Sequence, residues 1–142
     1  MPTVFSRIIS GEFPGRFVWR DETAVAFLSI NPLSVGHTLV VPVEEVDHWL
    51  DLDDETWQHL QVVTRHVGAA IQRAFDPPRV GTVIAGFEVP HVHVHVLQAH
   101  DLTTFDFRNA AQDPDEDTMD DAAEAIRTAL RDLGHTGAVQ QR

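Results

Sequence analysis

The chain has 142 residues, 43% of them hydrophobic and 23% charged, which is typical of a single globular domain. It contains no cysteine, lysine or tyrosine, so disulfides, thiolate metal ligands, Schiff-base lysines and the lysine of a P-loop are excluded. The net charge of −12 argues against a polymeric nucleic acid as partner. No apolar run is long enough to cross a bilayer and the N-terminus has no signal-peptide pattern, so we expect no membrane partner and a cytoplasmic protein.

The first half of the chain predicts one short helix and three strands. Val4–Ser10 has a helical pattern that stops at Gly11. Phe17–Arg20 and Ala24–Leu28 are typical of two strands joined as a hairpin. Thr38–Val43 is a short apolar run that includes a proline, and this pattern predicts a buried strand.

The second half predicts two longer helices and two further strands. In chain order, they are a helix from Asp53 or Asp54 to about Phe75, a strand at Val80–Ala85, a strand at His91–Gln98 and a helix from Asp115 to Leu133. Short strands with two longer helices, mostly joined by short turns, predict an α+β fold with an antiparallel sheet.

The segment from His91 to Leu97 alternates histidine and valine. Because successive side chains of a strand point to opposite faces, one face carries the valines and the other the histidines. The members are Val92, Val94 and Val96 on the first face, and His91, His93 and His95 on the second. Three groups that titrate near neutrality are therefore expected on one surface.

A row of three imidazoles can carry out substitution at phosphorus. An imidazole is a fair nucleophile near neutral pH, and its adduct with a phosphoryl group is labile enough for water to open. The neighbouring imidazoles can hold phosphate oxygens or protonate a leaving group. The sequence therefore predicts a nucleophile, an electrostatic clamp and an acid without lysine or metal.

Two other interpretations of the histidines remain open from the residues alone. The three can be incidental surface histidines, although the strict alternation with valine argues against this. A His-x-His pair on a strand can also chelate zinc, with Glu88 or Glu45 as a third ligand.

Four blocks of the chain together resemble the histidine triad (HIT) family. The first is the signature of alternating histidines itself, and the other three precede it in the family's order: Phe5–Pro14, Ala26–Pro32 and Gly36–Pro42. The resemblance covers roughly residues 2–98 and is closest to the branch of nucleoside phosphoramidases and dinucleoside polyphosphate hydrolases. The third histidine argues against the uridylyltransferase branch, which carries glutamine there.

The resemblance implies a fold and a function. The fold would be an antiparallel sheet of about five strands with a long central helix, a short N-terminal helix and a C-terminal helix. Residues 1–100 would form the HIT domain, and 101–142 an extension whose helix packs on it. The protein would cleave a nucleoside monophosphate from a phosphoramidate, adenylate or dinucleoside polyphosphate through a nucleotidyl-histidine, without a cofactor, as a homodimer. The alternative is a nucleotide-binding or interaction protein with little catalytic activity.

The resemblance also implies roles for individual residues. His93 would be the nucleophile, His91 and His95 would contact phosphate oxygens or the leaving group, and His37 would support the triad. The nucleotide would be held by Phe5, Ile8, Phe27, Leu28, Ser29, Asn31, Gly86 and Glu88.

The chain departs from the family at two places. Thr3, Ser6 and Glu45 stand where many bacterial relatives carry two cysteines and a histidine that bind structural zinc, so we expect no metal there.

The nucleotide pocket departs as well. Ser29 replaces an aspartate that accepts both ribose hydroxyls, which predicts weaker ribose binding. The loop before the triad is shortened to Ala85–Glu88, where Phe87 and Glu88 replace polar residues. An anion beside bound phosphate is repulsive unless it pairs with a histidine or is protonated, and pairing would raise the pKa of a triad histidine.

Overall fold

A computed structural model describes residues 2–139, and these form one five-stranded sheet with three α-helices. The strands are β1 (Phe17–Arg20), β2 (Ala24–Leu28), β3 (Thr38–Pro42), β4 (Arg79–Val83) and β5 (Val94–Ala99). The helices are α1 (Val4–Ser10), α2 (Asp54–Phe75) and α3 (Glu116–Asp132). The sheet order is β1-β2-β3-β5-β4, and every neighbouring pair is antiparallel. The predicted α+β fold is confirmed.

Each helix begins at a side chain that accepts a hydrogen bond from the first turn. Thr3, Asp53 and Asp115 cap α1, α2 and α3, and each accepts from a backbone N–H three residues on. Such a cap stabilises a helix by about 1 kcal/mol. Helix α1 ends at Gly11, whose φ of 89° is unfavourable for residues with a side chain.

The two faces of the sheet pack against different partners. Helices α2 and α3 cover one face, where the three valines of the triad segment belong to the main apolar core. The other face carries a smaller cluster with α1 alongside, made of Phe5, Phe17, Val25, Phe27, Leu39 and Val41. The triad histidines lie on this second side, because Phe5 contacts both His91 and His93. The alternation therefore has the predicted orientation.

Strand β5 begins later than the sequence predicts. The predicted strand started at His91, whereas the ladder starts at Val94, which pairs with Val40. Upstream of this point the backbone bonds elsewhere, since the His91 N–H donates to Val89 O and the Val92 N–H to Val46 O. The first two triad histidines therefore precede β5 and lie outside the sheet.

Strand β4 ends earlier than the sequence predicts. It ends at Val83, opposite His95, instead of at the predicted Ala85. The antiparallel register would place residue 84 opposite Val94, the first residue of β5, and residue 85 opposite His93, which precedes β5. The loop from 84 to 93 is thereby left free to border the site.

The sheet has two edges of different character. At β1, the N–H of Arg20 donates to the carbonyl of Ala138, so the C-terminal segment pairs with part of this edge. At the other edge, β4 pairs with β5 on its inner side, and none of the described strands pairs with its outer side. Within residues 2–139, no helix has both the length and the apolarity needed to cross a bilayer.

Candidate active site

His93 presents one ring nitrogen with a free lone pair. Its Nδ1 lies 2.7 Å from the main-chain oxygen of His91. A carbonyl only accepts, so Nδ1 carries the proton and donates it. The lone pair of Nε2 then faces the cleft that His93 lines. This is the tautomer that an attacking imidazole requires.

His91 lies beneath the cleft and has no exposed surface. Its Nε2–H donates to Pro42 O at 2.8 Å, and its Nδ1 lies 2.7 Å from the hydroxyl of Thr3. Burial lowers the pKa of His91 despite the neighbouring Glu45. This corrects the expectation that His91 contacts a phosphate or leaving group, because both ring nitrogens are already used inside the protein.

His37 and His95 form a directed chain of hydrogen bonds. The Leu33 N–H donates to His37 Nδ1 at 2.9 Å, so the proton of neutral His37 is on Nε2. That proton is donated to His95 Nδ1, also at 2.9 Å. The proton of His95 must then be on its own Nε2. This nitrogen is buried and has no acceptor among residues 2–139.

Burial keeps both of these imidazoles neutral. It lowers the pKa of His37 to about 4 and of His95 to about 3, with smaller contributions from neighbouring histidines. For His95, the lowered pKa is opposite to the raised pKa that we expected for a triad histidine paired with Glu88. His95 is therefore a neutral N–H donor at physiological pH.

A tight turn places His37. Gly36 adopts a φ of 86°, and a Cβ at this position would lie 2.6 Å from the ring of Phe75. Both the backbone conformation and the close approach therefore require glycine. The turn is closed by the His37 N–H, which donates to Ser34 O at 3.1 Å.

The reactive histidines open onto a cleft of about 740 Å³. This volume is within the usual range for small-molecule sites. Beside His93, the wall is aromatic. The Phe5 ring packs edge-on against the His93 ring at 5.0 Å between centroids and against the Phe27 ring at 5.5 Å. The lining includes ten of the predicted residues: Phe5, Ile8, Phe27, Leu28, Ser29, Asn31, His37, Glu88, His93 and His95.

Two predicted residues lie outside the cleft lining, and the side chains of two others are hydrogen-bonded within the protein. Gly86 and His91 do not belong to the cleft lining formed by the described residues. Ser29 lines the cleft, but its hydroxyl accepts the N–H of Asn31 at 3.2 Å. The amide of Asn31 is also engaged, because it donates to Ala111 O at 3.0 Å.

Residues downstream of the triad complete the cleft, and sequence reasoning missed them. Phe107 lies edge-on to the His95 ring at 5.0 Å, and Gln112 lies farther along the same wall. At another part of the lining, Arg16 pairs with Glu116 at 2.7 Å and Asp120 at 2.8 Å. The segment from 99 to 114 has no hydrophobic periodicity. The only sequence signal for its role is an aromatic residue, Phe107, that follows the triad closely along the chain.

Thr3, Ser6 and Glu45 occupy the positions at which many bacterial relatives bind zinc. Here they form a hydrogen-bonded cluster around His91. Glu45 Oε1 accepts from the N–H of Thr3 at 2.8 Å and from the hydroxyl of Ser6 at 2.7 Å. The described residues contain no group of three histidine, cysteine, aspartate or glutamate side chains arranged to hold a metal ion. A chelate through His91 and His93 would also require His91 to release one of its two partners.

Comparisons with known proteins identify the family to which this sequence and fold are similar. The family model described as HIT domain matches residues 10–102. An uncharacterised HIT-like protein of Methanocaldococcus jannaschii is 36% identical over 102 residues, covering 69% of this chain and 79% of the relative. A histidine triad nucleotide-binding protein of Sulfolobus tokodaii, described as hypothetical, superimposes with a TM-score of 0.81 at 27% identity, covering 92% and 93% of the two chains. A zinc-bound histidine triad family protein of Mycobacterium smegmatis gives a TM-score of 0.79 at 26% identity, covering 92% and 94%.

The fold and the row of histidines define an α+β protein with an imidazole-lined cleft. The chain belongs to the histidine triad (HIT) family. This is a family of nucleotide-binding proteins, generally hydrolases or transferases.

Proposed function

We propose that the protein is a nucleotide hydrolase or transferase that works through a covalent nucleotidyl-His93 intermediate. Its substrates would be phosphoramidates, adenylates or dinucleoside polyphosphates. The observation that carries this proposal is the hydrogen bond from His93 Nδ1 to His91 O, which directs the Nε2 lone pair towards the cleft. An incidental surface histidine would not need a hydrogen bond that fixes which ring nitrogen carries the proton.

The reaction proceeds in two displacements. His93 Nε2 donates its lone pair to phosphorus, and the bond from phosphorus to the leaving oxygen breaks with its electron pair. A leaving nitrogen takes up a proton from solvent as its bond to phosphorus breaks, so that it departs as an amine. The adduct is an imidazolium whose Nδ1–H still donates to His91 O. Water then attacks phosphorus, the electron pair of the P–N bond returns to Nε2, and the proton of the water passes to solvent.

His95 stabilises charge in this scheme without losing its proton. Its Nε2–H is the buried donor that no described side chain accepts, so a phosphate oxygen or the leaving atom can accept it. Giving up that proton would leave His95 an imidazolate, because its Nδ1 already accepts from His37. Leaving groups that depart as stable anions, such as carboxylates and phosphates, therefore suit this site best.

The alternative function is nucleotide binding with little catalysis. Two observations favour it: the Ser29 hydroxyl is already engaged by Asn31, and the side chain of Phe87 is 94% exposed. Neither supplies the ribose or phosphate contacts that an efficient enzyme of this family would have. This alternative predicts nucleotide binding without an adduct.

The deciding experiment uses a panel of nucleoside phosphoramidates, acyl adenylates and dinucleoside polyphosphates. We expect the wild type to turn over at least one class and to give a quenched adduct heavier by one nucleoside monophosphate. His93→Ala should abolish both signals and keep its fold. His100→Ala is the matched control, because His100 is exposed and does not line the cleft. Equal rates in wild type and His93→Ala would refute the nucleophile.

We also propose that the protein is a homodimer that pairs through β4. The outer side of this strand is an open sheet edge, and such edges are normally covered or paired. Pairing two copies antiparallel would produce one continuous sheet, with a cleft in each protomer.

A further inference from the structure

We propose that Thr3 is a positioning residue for the reaction of His93, acting through His91. The proposal rests on the proposed function, because it concerns the same nucleophile. Thr3 lies just before α1, far from His93 in sequence, and its hydroxyl enters the buried base of the triad.

The direction of the Thr3–His91 hydrogen bond follows from its surroundings. His91 Nε2 faces the carbonyl of Pro42, which only accepts, so the single proton of the neutral ring is on Nε2. The Nδ1 lone pair must then accept, and the Thr3 hydroxyl donates to it over 2.7 Å. A second contact of that hydroxyl, to Ser6 Oγ, is 3.4 Å long and is the weaker of the two.

This bond controls the position of the atom that orients the nucleophile. The His91 ring is held at both ends, by Thr3 on one side and by Pro42 on the other. The main-chain oxygen of the same residue accepts the Nδ1–H of His93. A shift or rotation of His91 therefore changes the acceptor that fixes both the tautomer and the direction of the His93 lone pair.

Thr3 is itself held firmly. Its N–H donates to Glu45 Oε1 at 2.8 Å, and its Oγ1 accepts the N–H of Ser6 at 3.1 Å. The same carboxylate oxygen accepts the Ser6 hydroxyl. The donor to His91 is thus fixed by one carboxylate and by the first turn of α1.

The same helix lines the cleft beside the nucleophile. Phe5 of α1 contacts the rings of His91 at 5.8 Å and His93 at 5.0 Å, both edge-on. Thr3 therefore connects the helix that walls the nucleotide pocket to the histidine that supports the nucleophile. We infer that its hydroxyl sets the turnover rate more than the affinity for substrate.

The kinetic test compares Thr3→Val, which keeps the shape and loses the hydroxyl, with Thr3→Ser, which keeps the hydroxyl. We expect Thr3→Val to lower kcat by about tenfold or more with KM changed by less than about threefold, because small misplacements of reacting groups are costly. Thr3→Ser should restore most of the rate. Asp53→Ala removes the cap of α2 instead and should reduce thermal stability without this loss of kcat. A Thr3→Ser rate as low as that of Thr3→Val would overturn the proposal.

A second measurement is independent of activity. Imidazole ¹⁵N NMR of the wild type should show His91 protonated on Nε2 and His93 on Nδ1. In Thr3→Val, we expect the His93 signals to shift towards a mixture of tautomers. Protonation of wild-type His91 on Nδ1, or unchanged His93 signals together with unchanged kcat in Thr3→Val, would overturn the proposal. If the wild type turns over none of the substrates, the proposed function fails, whereas the spectra still decide the role of Thr3.

Discussion

At the scale of the residue, the site depends on the placement of protons in four imidazole rings. The backbone fixes each tautomer: Pro42 O for His91, His91 O for His93, and the Leu33 N–H for His37 and, through it, His95. Because main-chain groups cannot reverse their roles as donor or acceptor, the reactive nitrogens have defined states before substrate arrives. The Nε2 of His93 is an acceptor and the Nε2 of His95 a donor.

The buried histidines predict how stability depends on pH. The folded pKa of His37 is about 4, below its ordinary value of 6.5, so between these values the unfolded chain binds a proton that the folded chain does not. The free energy of unfolding should therefore fall as pH drops from about 6.5 to about 4, by about 3 kcal/mol for this residue alone. Above pH 6.5, the contribution of His37 to the free energy of unfolding should not change with pH. Urea unfolding at a series of pH values measures it.

The matched variants for this test are His37→Gln and His100→Gln. His37→Gln cannot titrate there and should show a shallower dependence on pH. His100→Gln changes an exposed histidine and should keep the wild-type dependence. Equal slopes for wild type and His37→Gln would contradict a neutral, buried His37.

At the scale of the element, the sequence predicts the side-chain pattern better than the hydrogen bonds. The alternation of His91–Val96 gives the correct faces even though only part of the segment belongs to β5. The valines pack in the main core and the histidines contact Phe5 on the other face already from residue 91, although β5 begins only at Val94. Strand limits depend on partners, and Val92 bonds to Val46 O in a loop whose path is set by tertiary packing.

The wall after the triad shows what local patterns leave out. Phe107 begins a short 3₁₀ turn, and the N–H of Ala111, four residues further on, donates to Pro32 O. These are contacts between segments distant in sequence, and one sequence without periodicity contains no signal for them. The blocks matched to the HIT family supplied most of the cleft, and those blocks end near residue 98.

Phe107 should contribute to substrate use. Phe107→Ala removes an edge-on contact with His95 and part of the apolar wall, so we expect kcat/KM to fall about five- to tenfold, as a loss of about 1 kcal/mol or more implies. Steady-state kinetics on the best substrate of the panel measures it. Leu102→Ala alters a side chain that is 87% exposed in a neighbouring turn and should have no effect. Wild-type kinetics for Phe107→Ala would remove this residue from the site.

At the scale of the whole molecule, a large negative charge opposes the association we propose. Two chains would each bring a net charge of −12 to a dimer. The repulsion acts over the screening length, which shortens from about 30 Å at 0.01 M salt to about 10 Å at 0.1 M. The open backbone of β4 favours pairing, while the overall charge disfavours it.

Dimerisation should therefore strengthen with salt. Sedimentation velocity should show the dimer fraction at a fixed protein concentration increasing between about 0.01 M and 0.1 M salt. Thr82→Asp adds a charge on the exposed side of β4 and should shift the protein towards monomer. Thr128→Asp adds the same charge on α3, away from this edge, and should behave like the wild type apart from its extra charge. A monomer at all salt concentrations would contradict the dimer.

The acceptor that orients His93 is a main-chain oxygen, which does not depend on which amino acid occupies position 91. Every amino acid at position 91 supplies a carbonyl there, so mutation cannot delete this contact and can only move it. Amino-acid substitutions can change only the ring of His91 and the side chains that contact it. A substitution at position 91 therefore keeps the acceptor for the proposed nucleophile, whereas a change in the path of the chain between Val89 and His93 would displace it.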